Sequence, residues 1–267
     1  MRIARFAAGD EVSYGLVGTA RPGSTAGGGE VIAELAGHPF GGSDSIRLTG
    51  TTYPLTDVRL LAPVLPSKVI GFGLSDPGPG GGTGDGLDEG SVMYLKPSTA
   101  VCGPSDAIRY PAQAHRLVPE GKLAVVIGRL CRQVPPDQAA AVIFGYTCAL
   151  DVTAADAAAR DGQWARAKGF DPFCPLGPWI ETDVLAGDVT LVTSVNGDVR
   201  RRAGIPRAAH GVAALIAAAS SVMTLLPGDV LLAGGADGAL AELDSGDEVS
   251  VSIDAVGTLA NKVEKGD

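Results

Sequence analysis

The chain of 267 residues is long enough for one large domain, or for a compact domain with a small appendage, and its 45% hydrophobic and 19% charged residues exclude a disordered or collagen-like chain. A net charge of −9 and a pI near 4.8 leave no basic surface for phosphates, and the short basic run Arg200 to Arg202 does not reverse that, so nucleic acid is not an expected partner. No window approaches about 18 uninterrupted apolar residues, and no long apolar stretch follows Arg2 and Arg5, so neither a membrane span nor a signal peptide is expected and a cytoplasmic location is.

Glycine (38) and proline (18) are plentiful and aromatic residues scarce at 5%, which favours turns and strands over long helices. From the N-terminus, short apolar runs at Glu11 to Val17 and Val31 to Leu35 are separated by glycine-rich punctuation, and residues 1–64 read as a small, mostly β domain. Residues 65–267 read as the core domain. Within it a strand is predicted at Lys68 to Phe72, followed by a Gly/Pro/Asp-rich stretch, Ser75 to Gly90, long enough to close as a flap. Strands follow at Val92 to Lys96, Lys122 to Gly128 and Val142 to Leu150, the middle one apolar enough to be buried on both faces. The alanine-rich Ala154 to Arg166 and the segment Gly211 to Met223 predict helices, and Pro227 to Ala233 and Glu248 to Ile253 predict strands after Pro-Gly-Asp and Ser-Gly-Asp turns. The fold class is α+β and β-rich, with no internal repeat.

Four cysteines without a Cys-x-x-Cys pair (Cys102, Cys131, Cys148, Cys174) read as small buried hydrophobes. His115 lies a few residues before Glu120, at the edge of any site there, whereas His38 and His210 read as ordinary residues. Gly71-Phe72-Gly73 lacks the third glycine of a dinucleotide fingerprint, so no nucleotide cofactor is indicated.

Several blocks occur in one order: Tyr94-Leu95-Lys96-Pro97, Leu123 to Gly128, Gly145-Tyr146-Thr147, Asp151-Val152-Thr153, the long block Lys168 to Trp179, Val195 to Val199, and Leu226-Pro227-Gly228-Asp229-Val230. In that order they resemble the fumarylacetoacetate hydrolase family over roughly the last 200 residues. The resemblance implies a mixed β-roll or sandwich core, a homodimer, and a small-molecule substrate with an enolisable carbonyl, an oxo acid or 1,3-dicarbonyl compound. It also implies Mg or Mn held by three carboxylates, two of them at i and i+2 on one strand, so that both point to one face.

Here those three positions read Glu120, Lys122 and Asp151. Glu120 and Asp151 remain as the only expected ligands if a metal binds, and no cofactor is firmly implied. Three carboxylates with a divalent cation carry the same net charge as two carboxylates with one ammonium, so Lys122 is expected to stand where the metal would and polarise a substrate carbonyl. The alternative is an inert buried ion pair. The segment Gly73 to Pro79 lacks the histidine with which related hydrolases activate water, leaving Asp76, Asp85, Asp88 and Glu89 of the flap as distant substitutes. Lys168 and Gln163 match family positions that contact substrate. Phe72, and Gly234 and Asp237 in a turn that lacks the family's threonine, are the remaining candidate substrate contacts. The reading is an enzyme with catalytic Glu120, Lys122, Asp151 and Lys168 that isomerises, cyclises, dehydrates or decarboxylates an enolisable carbonyl compound, in secondary metabolism. Two alternatives stand beside it: a Mg-dependent acylpyruvate-type hydrolase or decarboxylase, and a non-catalytic binding subunit.

Overall fold

A computed structural model describes residues 1–19, 29–41, 46–74, 91–183, 189–205, 208–234 and 242–266. The flap expected at Ser75 to Gly90, with its four acidic residues, and Asp237 lie outside the described residues. Strands dominate. The large sheet runs in the order β4 (Leu48–Pro54), β3 (Glu30–Leu35), β2 (Glu11–Thr19), β1 (Arg2–Ala8), β12 (Cys174–Glu181), β11 (Ile143–Ala154), β10 (Leu117–Ile127), β15 (Val230–Ala233), β6 (Lys68–Leu74), β7 (Ser91–Pro97). Two short strands attach at its side, β5 (Arg59–Leu61) on β1 and β8 (Val101–Cys102) on β12. The second sheet runs β14 (Asp198–Ile205), β13 (Val189–Val195), β16 (Glu248–Ile253), β17 (Gly257–Lys265), β9 (Ile108–Tyr110).

The antiparallel hairpin β10/β11 is the axis of the molecule, and alternation along it sorts side chains between two layers. Leu123, Val125 and Ile127 face one way, into the core that also holds Leu191, Val251 and Leu259 of the second sheet. Ala124 and Val126 face the other way and pack with Val69, Ala149, Leu176, Val230 and Leu232. The N-terminal strands join this framework through β1, where Arg2 and Ile3 pair with Glu181 and Ile180 of β12. Phe6 and Ile32 form the nucleus of their own small core.

Gly121 belongs to the first layer, where the sheets approach so closely that a Cβ would overlap Thr193 Oγ1 and come within 2.8 Å of Val251 Cγ2. Overpacking of this kind costs about 1–3 kcal/mol. Gly121→Ala is therefore expected to lower the melting temperature by about 2–4 °C for each kcal/mol lost, measured by thermal denaturation.

Three expectations need correction. The helix expected at Ala154 to Arg166 is two helices, α1 (Ala155–Asp161) and α2 (Ala165–Gly169), because Gly162 adopts a left-handed φ of 65° and ends the first. Strand β10 begins at Leu117 rather than Lys122, which puts Glu120 inside the strand and not ahead of it. β12 was not anticipated, because Pro175 and Pro178 argue against a strand between two neighbours. The fold accommodates Pro178 with a register shift against β11 between Tyr146 and Cys148. The third helix, α3 (Ala208–Val222), agrees with its prediction to within a turn. Among the described residues no helix is long and apolar enough to cross a membrane.

Candidate active site

Glu120 and Asp151 are direct cross-strand partners on β10 and β11, and Lys122 lies two residues beyond Glu120, so the three side chains share the face that carries Ala124 and Val126. Lys122 Nζ lies 2.6 Å from Glu120 Oε2 and donates to the carbonyl oxygen of Gly234 at 2.6 Å. Gly234 has φ of 101°, a conformation that favours glycine, and it follows β15 directly. Its contribution is thus an acceptor that orients the Lys122 ammonium.

Strand β7 supplies two further groups by the same alternation. Lys96, fully buried, donates to the carbonyl oxygens of Val152 (2.9 Å), Lys168 (2.9 Å) and Phe173 (3.0 Å), and lies 2.9 Å from Asp151 Oδ1. The Tyr94 hydroxyl donates to Asp151 Oδ2. Its ring needs the space above β6, where a Cβ on Gly71 would overlap it. Helix α2 completes the cluster: Lys168 Nζ donates to Asp151 Oδ2 at 2.7 Å and lies 4.5 Å from the centroid of the Tyr94 ring and 5.9 Å from that of Trp164. Trp164 meets Tyr94 edge to face at 5.4 Å, in space that Gly73 leaves open.

Three ammonium groups thus surround two carboxylates in a nearly closed space. Burial pushes the Asp151 carboxyl upward, but Lys168, Lys96 and Lys122 outweigh it and hold the group well below the usual carboxylate range. Glu120 follows the same balance: burial raises it, Lys122 and Lys168 lower it, and the net direction is down. Burial lowers Lys168, with Asp151 and Glu120 opposing. Burial, then the charges of Asp151 and Glu120, push Tyr94 well above its ordinary value, so it remains a proton donor.

For carboxyls whose folded values are depressed, the stabilisation is fully present above the unfolded value of about 4 and is lost as pH falls through the folded values. The melting temperature is therefore expected to fall on acidification through and below the ordinary carboxylate range, and the Glu120→Gln variant should show a shallower slope there.

The structure brings together Glu120, Lys122, Asp151 and Lys168, with Gly234 at the margin. Gln163 is exposed, and its side-chain oxygen accepts from the Ala165 N–H at the start of α2. Phe72 packs with Ile70 against the inter-sheet core, on the face of β6 opposite Gly71 and Gly73. Strand alternation thus turns Phe72 away from the cluster, and the expected substrate contact is corrected. Lys96, Tyr94 and Trp164 were not foreseen as site residues. The available signal was the i, i+2 spacing of Tyr94 and Lys96, which places both on one strand face. For Trp164 only the tertiary fold supplies one.

The cluster does not fit a divalent cation. Asp151 Oδ2 already accepts from Tyr94 and Lys168, Oδ1 lies against Lys96, and Glu120 Oε2 is held by Lys122. An ion would have to enter among three ammonium groups with two carboxylates as its charged ligands, where hard divalent cations take six or more oxygens. Among the described residues no group of three or more His, Cys, Asp or Glu side chains is arranged to hold a metal.

Comparison with known proteins agrees with this architecture. Residues 85–264 match the family model described as fumarylacetoacetate (FAA) hydrolase C-terminal, and residues 1–63 match one described as Rv2993c-like, N-terminal. The chain is 44% identical to Protein Rv2993c of Mycobacterium tuberculosis over 267 residues, covering 98% of each chain. It is 35% identical to the mitochondrial oxaloacetate tautomerase Fahd2a of Rattus norvegicus over 221 residues, which are 79% of this chain and 71% of that one. The crystal structure of 5-carboxymethyl-2-hydroxymuconate delta-isomerase from Mycobacterium smegmatis superimposes with a TM-score of 0.86 at 43% identity, covering 99% of this chain and 100% of the other. The chain belongs to the fumarylacetoacetate hydrolase family and is an enzyme of that superfamily.

Proposed function

We propose that the chain catalyses proton transfer beside a carbonyl, tautomerising or isomerising an oxo acid or related 1,3-dicarbonyl compound, with the Lys122 ammonium in place of a divalent cation. Cyclisation, dehydration and decarboxylation begin from the same enolate and belong to the same reading. The observation that carries it is the position of Lys122 Nζ, 2.6 Å from Glu120 Oε2 and pinned from a second side by the Gly234 carbonyl. An ammonium fixed beside a carboxylate is the minimal apparatus for enolisation. The cation holds the oxyanion that develops on the carbonyl oxygen, and a carboxylate, Glu120 or Asp151, takes the proton from the adjacent carbon. Lys168 adds a second cation on the same face, over the rings of Tyr94 and Trp164.

The likeness to an oxaloacetate tautomerase and to a hydroxymuconate isomerase supports this chemistry, since both names describe migration of a proton in an oxo acid or enol. The same proposal takes residues 1–64 as a small domain annexed to the core of 65–267 through the β1/β12 pairing, and the protein as a cytoplasmic homodimer acting on small molecules in a specialised pathway. The test follows the enol absorbance of oxaloacetate with chelator-treated protein in excess EDTA. Accelerated loss of the enol form supports the reading. No acceleration with EDTA, but acceleration on adding Mg, would return the reaction to a metal-dependent mechanism.

A further inference from the structure

Proton abstraction by the reading above leaves two carboxylates to choose from, and their surroundings differ. Asp151 has no exposed side-chain surface. Its Oδ2 accepts from both the Tyr94 hydroxyl and Lys168 Nζ, which occupies its two lone-pair directions. Oδ1 lies 2.9 Å from Lys96 Nζ at ion-pair distance, though not aligned for a hydrogen bond, and is sealed from solvent. Lys96 cannot swing away to clear it, because three backbone carbonyls hold its ammonium. Among the described residues Glu120 makes one ion pair, with Lys122 on Oε2, and its side chain keeps 18% of its surface exposed.

We infer that Tyr94 and Lys96 reserve Asp151 as a fixed anion that positions Lys168, and that Glu120 is the one carboxylate of the pair open to a ligand and is the base of the reaction. This rests on the enolisation reading. In the step itself, the proton on the carbon beside the carbonyl passes to Glu120, and the C–H electron pair moves into the new C=C bond. The former C=O pair settles on oxygen against Lys122, and return of the proton to the other end of the enolate regenerates Glu120. Atoms and charge balance without a co-reactant. Tyr94, Lys96 and Asp151 are positioning residues; Glu120 and Lys122 touch the reacting atoms.

Two measurements test the assignment. The first is carbodiimide coupling of glycine ethyl ester to the intact protein, read by peptide mass spectrometry, and it requires no turnover. The expected result is label on Glu120 and none on Asp151; equal labelling, or label on Asp151 alone, overturns the inference. The second compares kinetics on oxaloacetate. Glu120→Gln is expected to lower kcat by about 10²–10⁴-fold with KM little changed, the range general bases contribute, and Glu120→Asp should recover part of it. Tyr94→Phe is expected to act through KM, by about tenfold for one lost hydrogen bond, because Lys168 loses its fixed counter-ion geometry. Retention of kcat by Glu120→Gln, with its loss in Tyr94→Phe, would contradict the assignment. A wild-type protein that labels at Glu120 but enolises nothing would defeat the enolisation reading while leaving the carboxylate assignment supported.

Discussion

Lys122→Ala is expected to lower turnover of an enolisable oxo acid by about 10²–10³-fold, the usual loss when one preorganised donor to a developing oxyanion is removed. The size follows from the site's inventory of cations. Lys96 is committed to three carbonyl oxygens and Asp151, and Lys168 is committed to Asp151 beneath two aromatic rings. Lys122 is the ammonium paired with the more exposed carboxylate, which is where the proposed mechanism brings a carbonyl oxygen to the cation and its neighbouring C–H to the base. Its removal has a second consequence. The first effect on Glu120 is burial, which raises its pKa, and the charge of Lys122 is the largest influence opposing it. In the variant the acid limb of the pH–rate profile should move to higher pH. Steady-state rates across pH in EDTA measure both effects, and an active, metal-free Lys122→Ala enzyme would show that the ammonium is a bystander.

Lys96→Met is expected to produce the largest loss of stability. Methionine approximates the length of the lysine stem, but the change strips three carbonyls of their donor and leaves Asp151 with one fewer cation in a space closed to water. Removing one partner of a buried ion pair costs about 3–5 kcal/mol, which for a chain of this size lowers the melting temperature by about 6–20 °C. Thermal and urea denaturation monitored by circular dichroism would record it. A variant that melts with the wild type would mean that Lys96 does not hold β7 to the end of β11 and the loop before β12.

Glu120, Lys122 and Asp151 were legible because the blocks that carry them resemble those of the fumarylacetoacetate hydrolase family, in which these positions form one site. Spacing alone fell short: the apolar run predicted a strand only from Lys122, whereas β10 begins at Leu117 and holds Glu120 as well, and Asp151 follows the next predicted strand, which β11 extends to Ala154. Lys168 was reached through the block that follows. What escaped was set by tertiary context. Strand β14 carries Arg200 to Arg202, which the sequence offered only as a basic run too short to attract phosphates, and the second sheet makes it an edge strand, where such charges discourage further pairing. β13 and β17 mix Ser, Thr and Asn with apolar residues and gave no clean signal, and β12 was hidden by its prolines. Phe72 was expected among the substrate contacts, but strand parity, not proximity in sequence, decides which face a side chain serves. The same parity accounts for Tyr94 and Lys96, whose motif was read for its likeness and not for its geometry.

In the proposed mechanism the Lys122 ammonium has replaced a divalent cation. Calorimetric titration of the chelator-stripped protein with Mg and Mn, beside the Lys122→Glu variant, tests that replacement. Neither ion is expected to bind the natural chain and one is expected to bind the variant, in which a carboxylate two residues from Glu120 removes the competing ammonium and adds a ligand. Binding of Mg by the natural chain at micromolar concentration would contradict it and return the site to metal-dependent chemistry.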